Sequence, residues 1–180
     1  MNQQISRLAS VDIGGGDFKT VMRQVAGAVS VITAQHGAVR AGLTATSLTA
    51  LSAEPPTVLI CVNRSASAWP VIEAAGHFAI NLLAADQRPI ADRFAGRGGE
   101  RGEARFAEAR WTRLATGAPV LASALATIDC VTDEVIERHS HAVLIGRVKA
   151  IRTAGDQNAL LYWRGLYGQF DDAVEHGLGI

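Results

Sequence analysis

Two long runs rich in β-branched residues, ASALATIDCVTDEVIE (122–137) and HAVLIGRVKAIR (141–152), are separated only by RHS. So short a connection joins antiparallel neighbours, because parallel strands need a crossover of about a dozen residues or more. The chain is therefore built around a long β-hairpin. Gly146, inside the second arm, predicts a bulge or a close approach of another group.

Shorter segments fill in the rest. AVSVITA (28–34), the continuous apolar run TVLICVN (57–63) and HFAINLLA (77–84) read as strands, with a turn through QHGAVR and an extended, Thr-rich TATSLTALS. Phe18, Val21, Met22 and Val25 recur at helical spacing after Asp17 as N-cap, with Gly27 as the stop. AWPVIEAAG and DQRPIADRFAG read as short helices, the latter with Pro89 near its start. GRGGERGEAR (96–105) reads as a mobile surface loop, and ALLYWRGLYGQF (159–170) as an aromatic, amphipathic tail. No period of 20–50 residues repeats. Strands outnumber helices and do not alternate with long ones. That favours a mainly antiparallel β-barrel with a few peripheral helices over a doubly wound parallel sheet.

Composition narrows the function. With 180 residues, 48% of them hydrophobic and 19% charged, the chain is expected to be one soluble globular domain. Seventeen basic residues balance seventeen acidic ones, which argues against a nucleic-acid partner and against a polybasic membrane patch. The opening MNQQISRLAS has no apolar core of a signal peptide, and Leu114–Ile128 is too short and too broken to span a bilayer. Cys61 and Cys130 each lie in a strand-like run, so buried free thiols in a reducing cytoplasm are expected.

Several chemistries are missing. No G-x-G-x-x-G lies between a strand and a helix, and there is neither a Walker loop nor H-E-x-x-H. His139 and His141 share one strand face but lack a third ligand, so no metal is expected.

What remains is GLTATSLTALSAEPP (42–56). An extended reading puts Thr44 and Thr46 on one face, and Ser47 and Thr49 on the other. Two explanations stand: threonines solvated on an edge strand, or hydroxyls and backbone N–H groups lining an acceptor-rich ligand. A second polar cluster, NRSASAW (63–69), follows the next strand. There Arg64, Ser65 and Ser67 offer a cation and small donors to a phosphate, and Trp69 offers a ring to stack on. Two such clusters bracketing one buried strand suit a ligand with a phosphate end and a planar polar end, as in a flavin nucleotide.

The succession FKTVMRQVAGAVSVITA, GLTATSLTALSAEPPTVLICVNRSASAW, HFAINLLAADQRPIADRFAG, GAPVLASALATIDC, HSHAVLIGRVKAI and LLYWRGLYG resembles the short-chain flavin reductase family, from Phe18 to Gly168. NRSASAW and RFAEARW are most similar to its reductases of pyrimidine degradation and of cobalt-corrinoid reduction. The resemblance implies a mainly β fold: a six-stranded Greek-key split barrel, dimeric, with a few peripheral helices and a flavin in each of two grooves at the dimer interface. It implies a domain over 17–170, flanked by an N-terminal extension (1–16) and a C-terminal tail (171–180).

It also implies the site. Thr44, Ala45, Thr46 and Ser47 would contact the flavin, with Asn63, Ser65 and Ser67 towards its phosphate and Phe94 beside it. His141 matches the histidine of the family's Gly-Asp-His motif at the nicotinamide site, although His139 and Ser140 replace Gly and Asp. Tyr162 and Tyr167 match aromatic positions of the C-terminal segment, Tyr167 towards the nicotinamide and Trp163 in the core. The implied activity is hydride transfer from NADH or NADPH to FMN or FAD, in which His141 orients the nicotinamide or supplies a proton. Reduced flavin would go to a separate monooxygenase, or electrons to a cobalt(II) corrinoid in cobalamin biosynthesis. The alternative is a non-catalytic flavin- or heme-binding barrel acting as carrier or sensor. A purely structural dimer module leaves the paired hydroxyl clusters unexplained.

Overall fold

The computed structural model describes residues 13–155 and 157–169. Most of the expected N-terminal extension and all of the expected tail lie outside the described residues. In chain order the elements are α1 (Gly15–Met22), β1 (Gly27–Ala28), β2 (Ser30–His36), β3 (Val39–Ala45), β4 (Thr49–Ala53), β5 (Pro56–Asn63), α2 (Trp69–Ala75), β6 (His77–Leu82), α3 (Arg88–Phe94), β7 (Trp111–Thr112), β8 (Val120–Leu121), β9 (Ala126–Arg138), β10 (His141–Thr153), β11 (Leu161–Trp163) and β12 (Leu166–Gly168). Single 3₁₀ turns cover Ala85–Gln87 and Gly102–Phe106.

Seven strands form one antiparallel sheet in the order β3-β2-β6-β9-β10-β5-β4, so the described sheet has one strand more than the six expected. Its edges are β3 and β4, yet these are consecutive in the chain and joined only by residues 46–48. Flat, the edges would lie about 29 Å apart at ~4.8 Å per strand. Four Cα steps from Ala45 to Thr49 reach at most about 15 Å at ~3.8 Å each. The sheet must therefore be rolled, with its margins drawn together at the Thr-Ser-rich segment and no ladder between them.

The β9–β10 hairpin dominates the roll, as its length in the sequence demands. Register shifts occur between Ile145 and Gly146 and between Val148 and Ala150. Gly146 is both a bulge and a close approach, because a Cβ there would lie 2.5 Å from Phe78 Cζ and 3.0 Å from Cys130 Cβ. The first arm starts at Ala126, not at 122, because Ala122 and Ser123 turn and the Leu125 N–H donates to Leu82 O.

Strand β2 explains the apolar AVSVITA run. Ile32 and Ala34 enter one core with Val58, Ile60, Val62, Phe78, Ile80 and Leu144, while Val29 and Val31 enter another with Leu83, Phe94, Phe106 and Leu160. A strand buried on both faces cannot alternate apolar with polar. Residue 29 separates β1 from β2, and the turn expected over 35–40 is confined to Gly37 (φ 58°) and Ala38.

Trp69 and Ile72 carry α2 into the first core, so Trp69, 6% exposed, is a packing residue and offers no ring to a ligand. Trp163 is 47% exposed, against the core position expected for it; its indole N–H donates to Gln24 O. The aromatic segment that follows β10 forms the β11–β12 hairpin (Leu161–Gly168), turned by Arg164 and Gly165 at φ 53° and 90°. Helix α1 is capped by Gly14 rather than Asp17, which lies in the first turn, where its carboxylate faces the positive helix end. None of its residues is buried. Among the described residues no helix is long and apolar enough to cross a membrane.

Candidate functional site

The segment that joins the two sheet margins is also the floor of a cavity of ≈ 490 Å³. This lies within the ~300–1,000 Å³ of small-molecule sites. Thr44, Ala45, Thr46 and Ser47 line one side, Asn63 and Ser67 another, and Phe94 and His141 complete it. These eight sequence-derived residues therefore converge from β3, β5, α3, β10 and two connections. Register accounts for part of this: β10 pairs with β5 so that His141 stands opposite Asn63.

The hydroxyls divide between structure and opening. Ser47 lies beyond the end of β3, so the extended run is broken there and the two-face reading of it fails. Its Oγ accepts from the Cys61 N–H and donates to Cys61 O, both at 3.0 Å, which ties the connection to β5. Thr44 Oγ1 donates to Ala91 O at 2.7 Å and holds α3 against β3. Ser65 does not line the cavity; its Oγ and N–H both donate to Asn63 Oδ1 at 2.9 Å and shape the turn instead. Thr46 and Ser67, both exposed, have no side-chain hydrogen bond among the described residues, so their hydroxyls are free for a ligand.

The cation of the site is not the one expected. Arg64 pairs with Glu137 at 2.8 Å and is not part of the cavity wall. Arg105 is in that wall, and no carboxylate is. Its guanidinium donates to Gly42 O at 3.3 Å and to Glu100 O at 3.0 Å. It belongs to the segment that reads as a mobile loop, but this segment is strapped down. Arg40 pairs with Glu103, whose carboxyl is held below its ordinary range chiefly by that hydrogen bond, and Arg93 pairs with Glu108. Gly- and charge-rich composition conceals such long-range ties.

Phe94 is 2% exposed and meets Phe106 and Trp111 edge-on, with centroids 5.1 and 5.6 Å away. Its ring passes over Gly42, where a Cβ would come within 2.8 Å of Phe94 Cε1. His141 is exposed, with Nδ1 2.9 Å from Ser140 Oγ. His139 sits in the turn at φ 51°, and no metal-binding group of side chains occurs among the described residues. Cys61 half-faces the cavity, while burial pushes the Cys130 thiol up to about 12.

Tyr167 lines an adjoining cavity of ≈ 190 Å³ that shares Thr44, Ala45, Thr46 and Ala95 with the first. Tyr162 packs against it at 5.3 Å, and the Arg97 guanidinium lies 5.3 Å from its ring centre. Burial, with Asp92 nearby, raises the Tyr167 phenol above its ordinary value, so it remains a proton donor.

The donor set suits a phosphorylated flavin. Arg105, Ser67 and Asn63 offer one cation and neutral donors to a phosphate, Thr46 offers a hydroxyl to a polar ring edge, and Leu43 and Ala95 offer apolar surface backed by the buried Phe94.

Comparison with known proteins agrees with this chemistry. A curated relative from Methylorubrum extorquens, FMN reductase (NADH) RutF 2, is 41% identical over 153 residues, covering 83% of this chain and 86% of its own. The solved structure of nitrilotriacetate monooxygenase component B from Mycobacterium thermoresistibile is 30% identical with a TM-score of 0.82, covering 91% of this chain and 90% of that one. The NADH:FAD oxidoreductase SgcE6 of Streptomyces globisporus, solved with NAD and FAD fragments, is 27% identical with a TM-score of 0.80, covering 89% and 94%. The family model described as flavin reductase like domain matches residues 22–171, and the chain belongs to that family.

Proposed function

We propose that the protein is an NAD(P)H:flavin oxidoreductase that reduces FMN or FAD and releases it to a separate monooxygenase. The observation that carries this reading is the convergence of Thr44–Ser47, Asn63, Ser67, Phe94, Arg105 and His141 on one cavity whose wall holds a cation and no carboxylate.

A bound flavin would supply the redox chemistry, accepting two electrons and a proton's worth of hydrogen from NADH or NADPH. The chain would hold it by its own groups. Arg105 and Ser67 would neutralise and bind the phosphate. Thr46 would fix the polar edge of the ring, and Ala45 lets the backbone come close. Phe94, immobilised by Phe106 and Trp111, would set the depth of the ring. His141 would orient the nicotinamide at the exposed side and hold a proton at its imidazole. With Ser140 rather than an acidic residue at its Nδ1, it has a neutral partner. Tyr167, kept protonated by burial, would border the donor from the adjoining cavity. Most of the rate then comes from holding two rings in a reactive stack.

The rolled sheet supports a six-stranded Greek-key split barrel with β4 as an added margin, within a domain over 17–170. A homodimer is supported by exposed apolar surface: Phe18, Val21, Met22 and Val25 along and just beyond α1, and Leu51 on the exposed strand β4.

The test is a flavin titration followed by steady-state NADH and NADPH oxidation. Saturable binding and turnover are expected, and His141→Ala should lower kcat/KM for the donor about tenfold to hundredfold, in the range that positioning effects reach, with flavin affinity kept. Tight flavin retention without donor turnover would instead favour a carrier. Anaerobic addition of a cobalt(II) corrinoid, watched for the cobalt(I) spectrum, distinguishes the corrinoid acceptor from release of reduced flavin.

A further inference from the structure

The segment from β7 to β8 closes a cavity of ≈ 390 Å³ against the turn end of β2 and β3. Gln35 and Arg40 stand opposite each other there, and Trp111, Thr112, Arg113 and Pro119 complete the wall. None of these residues lines the flavin cavity, and hydride transfer asks nothing of Arg113. The volume lies within the ~300–1,000 Å³ of small-molecule sites.

The wall is fixed before any ligand arrives. Strand β7 pairs with β8, and the Leu121 N–H donates to Asn81 Oδ1 at 2.8 Å. Thr33 Oγ1 donates to Pro119 O, and the Arg152 guanidinium donates to Leu121 O and to Thr112 Oγ1. Thr33 and Asn81 are buried, so these ties are shielded from water. A pocket held in this way needs little ordering when it fills, and less of the contact energy is lost.

Its charge is one-sided. The chain as a whole is neutral, yet two arginines and no carboxylate line this cavity. Arg40 is compensated by Glu103. Arg113 is exposed, donates to the neutral Gln35 Oε1 at 2.9 Å and takes part in no ion pair among the described residues. Trp111 is half-buried, and its indole N–H is already given to Phe106 O at 2.9 Å. Towards the cavity it therefore has only its ring to offer. A guanidinium fork takes two carboxylate oxygens, and an indole takes the face or edge of another ring.

We propose that this cavity binds a small aromatic carboxylate, with its carboxylate on Arg113 and its ring against Trp111. The site is separate from those of the flavin and the hydride donor.

The experiment is calorimetric titration of the full chain with benzoate at low ionic strength, with and without saturating FMN. Benzamide, which lacks the charge, and acetate, which lacks the ring, are the comparison ligands. Saturable benzoate binding is expected in both arms, about tenfold tighter than that of either comparison ligand. In Arg113→Gln the benzoate dissociation constant should rise about tenfold, as the loss of one charge-assisted contact implies. Arg110→Gln removes an exposed charge that does not line the cavity and should leave the constant unchanged. Absence of saturable benzoate binding overturns the proposal. So does acetate binding as tightly as benzoate, which would make the site one for any small anion. Binding that FMN abolishes, or that Arg113→Gln leaves intact, overturns it too, since benzoate would then sit in the flavin cavity or on scattered surface charge. The arm without FMN reads the site even where no flavin binds.

Discussion

Gly42→Ala tests how the flavin wall is built. A Cβ at Gly42 would lie 2.8 Å from Ile32 O and 2.8 and 3.0 Å from Phe94 Cε1 and Cδ1. Ordinary contact begins near 3.4 Å, so about 0.6 Å must be found. The carbonyl cannot yield easily, because β2 and β3 are paired at Thr33 and Gly42 and β2 is buried on both faces. Phe94 is blocked by Phe106 and Trp111. Phe94 is also one of the residues lining the cavity. Overpacking of this kind costs about 1–3 kcal/mol. Taking ~2 kcal/mol, the melting temperature should fall by about 4–8 °C for a domain of this size. Flavin affinity should fall as well, because the ring moves into the ligand's space. Adding Phe94→Leu removes the rigid ring edge, so the double variant should lose less than the sum of the two single losses. Thermal unfolding of all four proteins, with and without flavin, reads both effects. A Gly42→Ala protein that melts within a degree of the parent and binds flavin normally would refute the packing argument.

Ser47→Ala should destabilise by about 1–3 kcal/mol, since it strips both the Cys61 N–H and C=O of their hydroxyl partner; chemical denaturation measures this, and Ser47→Thr should retain most of the stability. In thiol titration at neutral pH, Cys61 should react and be shielded by bound flavin, while Cys130 should react only on unfolding. The Cys130 thiol is raised from 9.0 to about 12, chiefly by burial and further by Asp129. Its neutral form is the one the fold favours, so the associated stability is complete below pH 9.0 and is lost as pH rises towards about 12. Cys130→Ala should flatten that alkaline decline.

Much of the fold was legible because its strongest signals are local. The β9–β10 hairpin, the apolar β5 and the helices behind Pro70 and Pro89 each follow from a periodic run and a nearby turn or proline. The site was legible where a strand end carries it: Asn63 and His141 fall at strand termini that the sequence marks, whereas Thr44 lies near the end of β3 inside what reads as one extended run. Arg105 was not, because its position depends on the Arg40–Glu103 and Arg93–Glu108 pairs, which join segments far apart in the chain. Ser65 reads as a wall residue because small donors after a strand resemble a phosphate loop, yet hydrogen bonds to Asn63, two residues back, satisfy it within the turn. The two-residue strands β7 and β8 are too short for any periodicity to show.

The rolled sheet has one unladdered seam, and the candidate cavity opens along it. Any occupant that touches both Thr44 and Asn63 fastens β3 to the end of β5 across the seam, beyond the stretch that β4 covers, as a clasp does. Breathing of the barrel and escape of the occupant then become the same motion, and amide exchange should slow on β3 and β5 together when the clasp is closed.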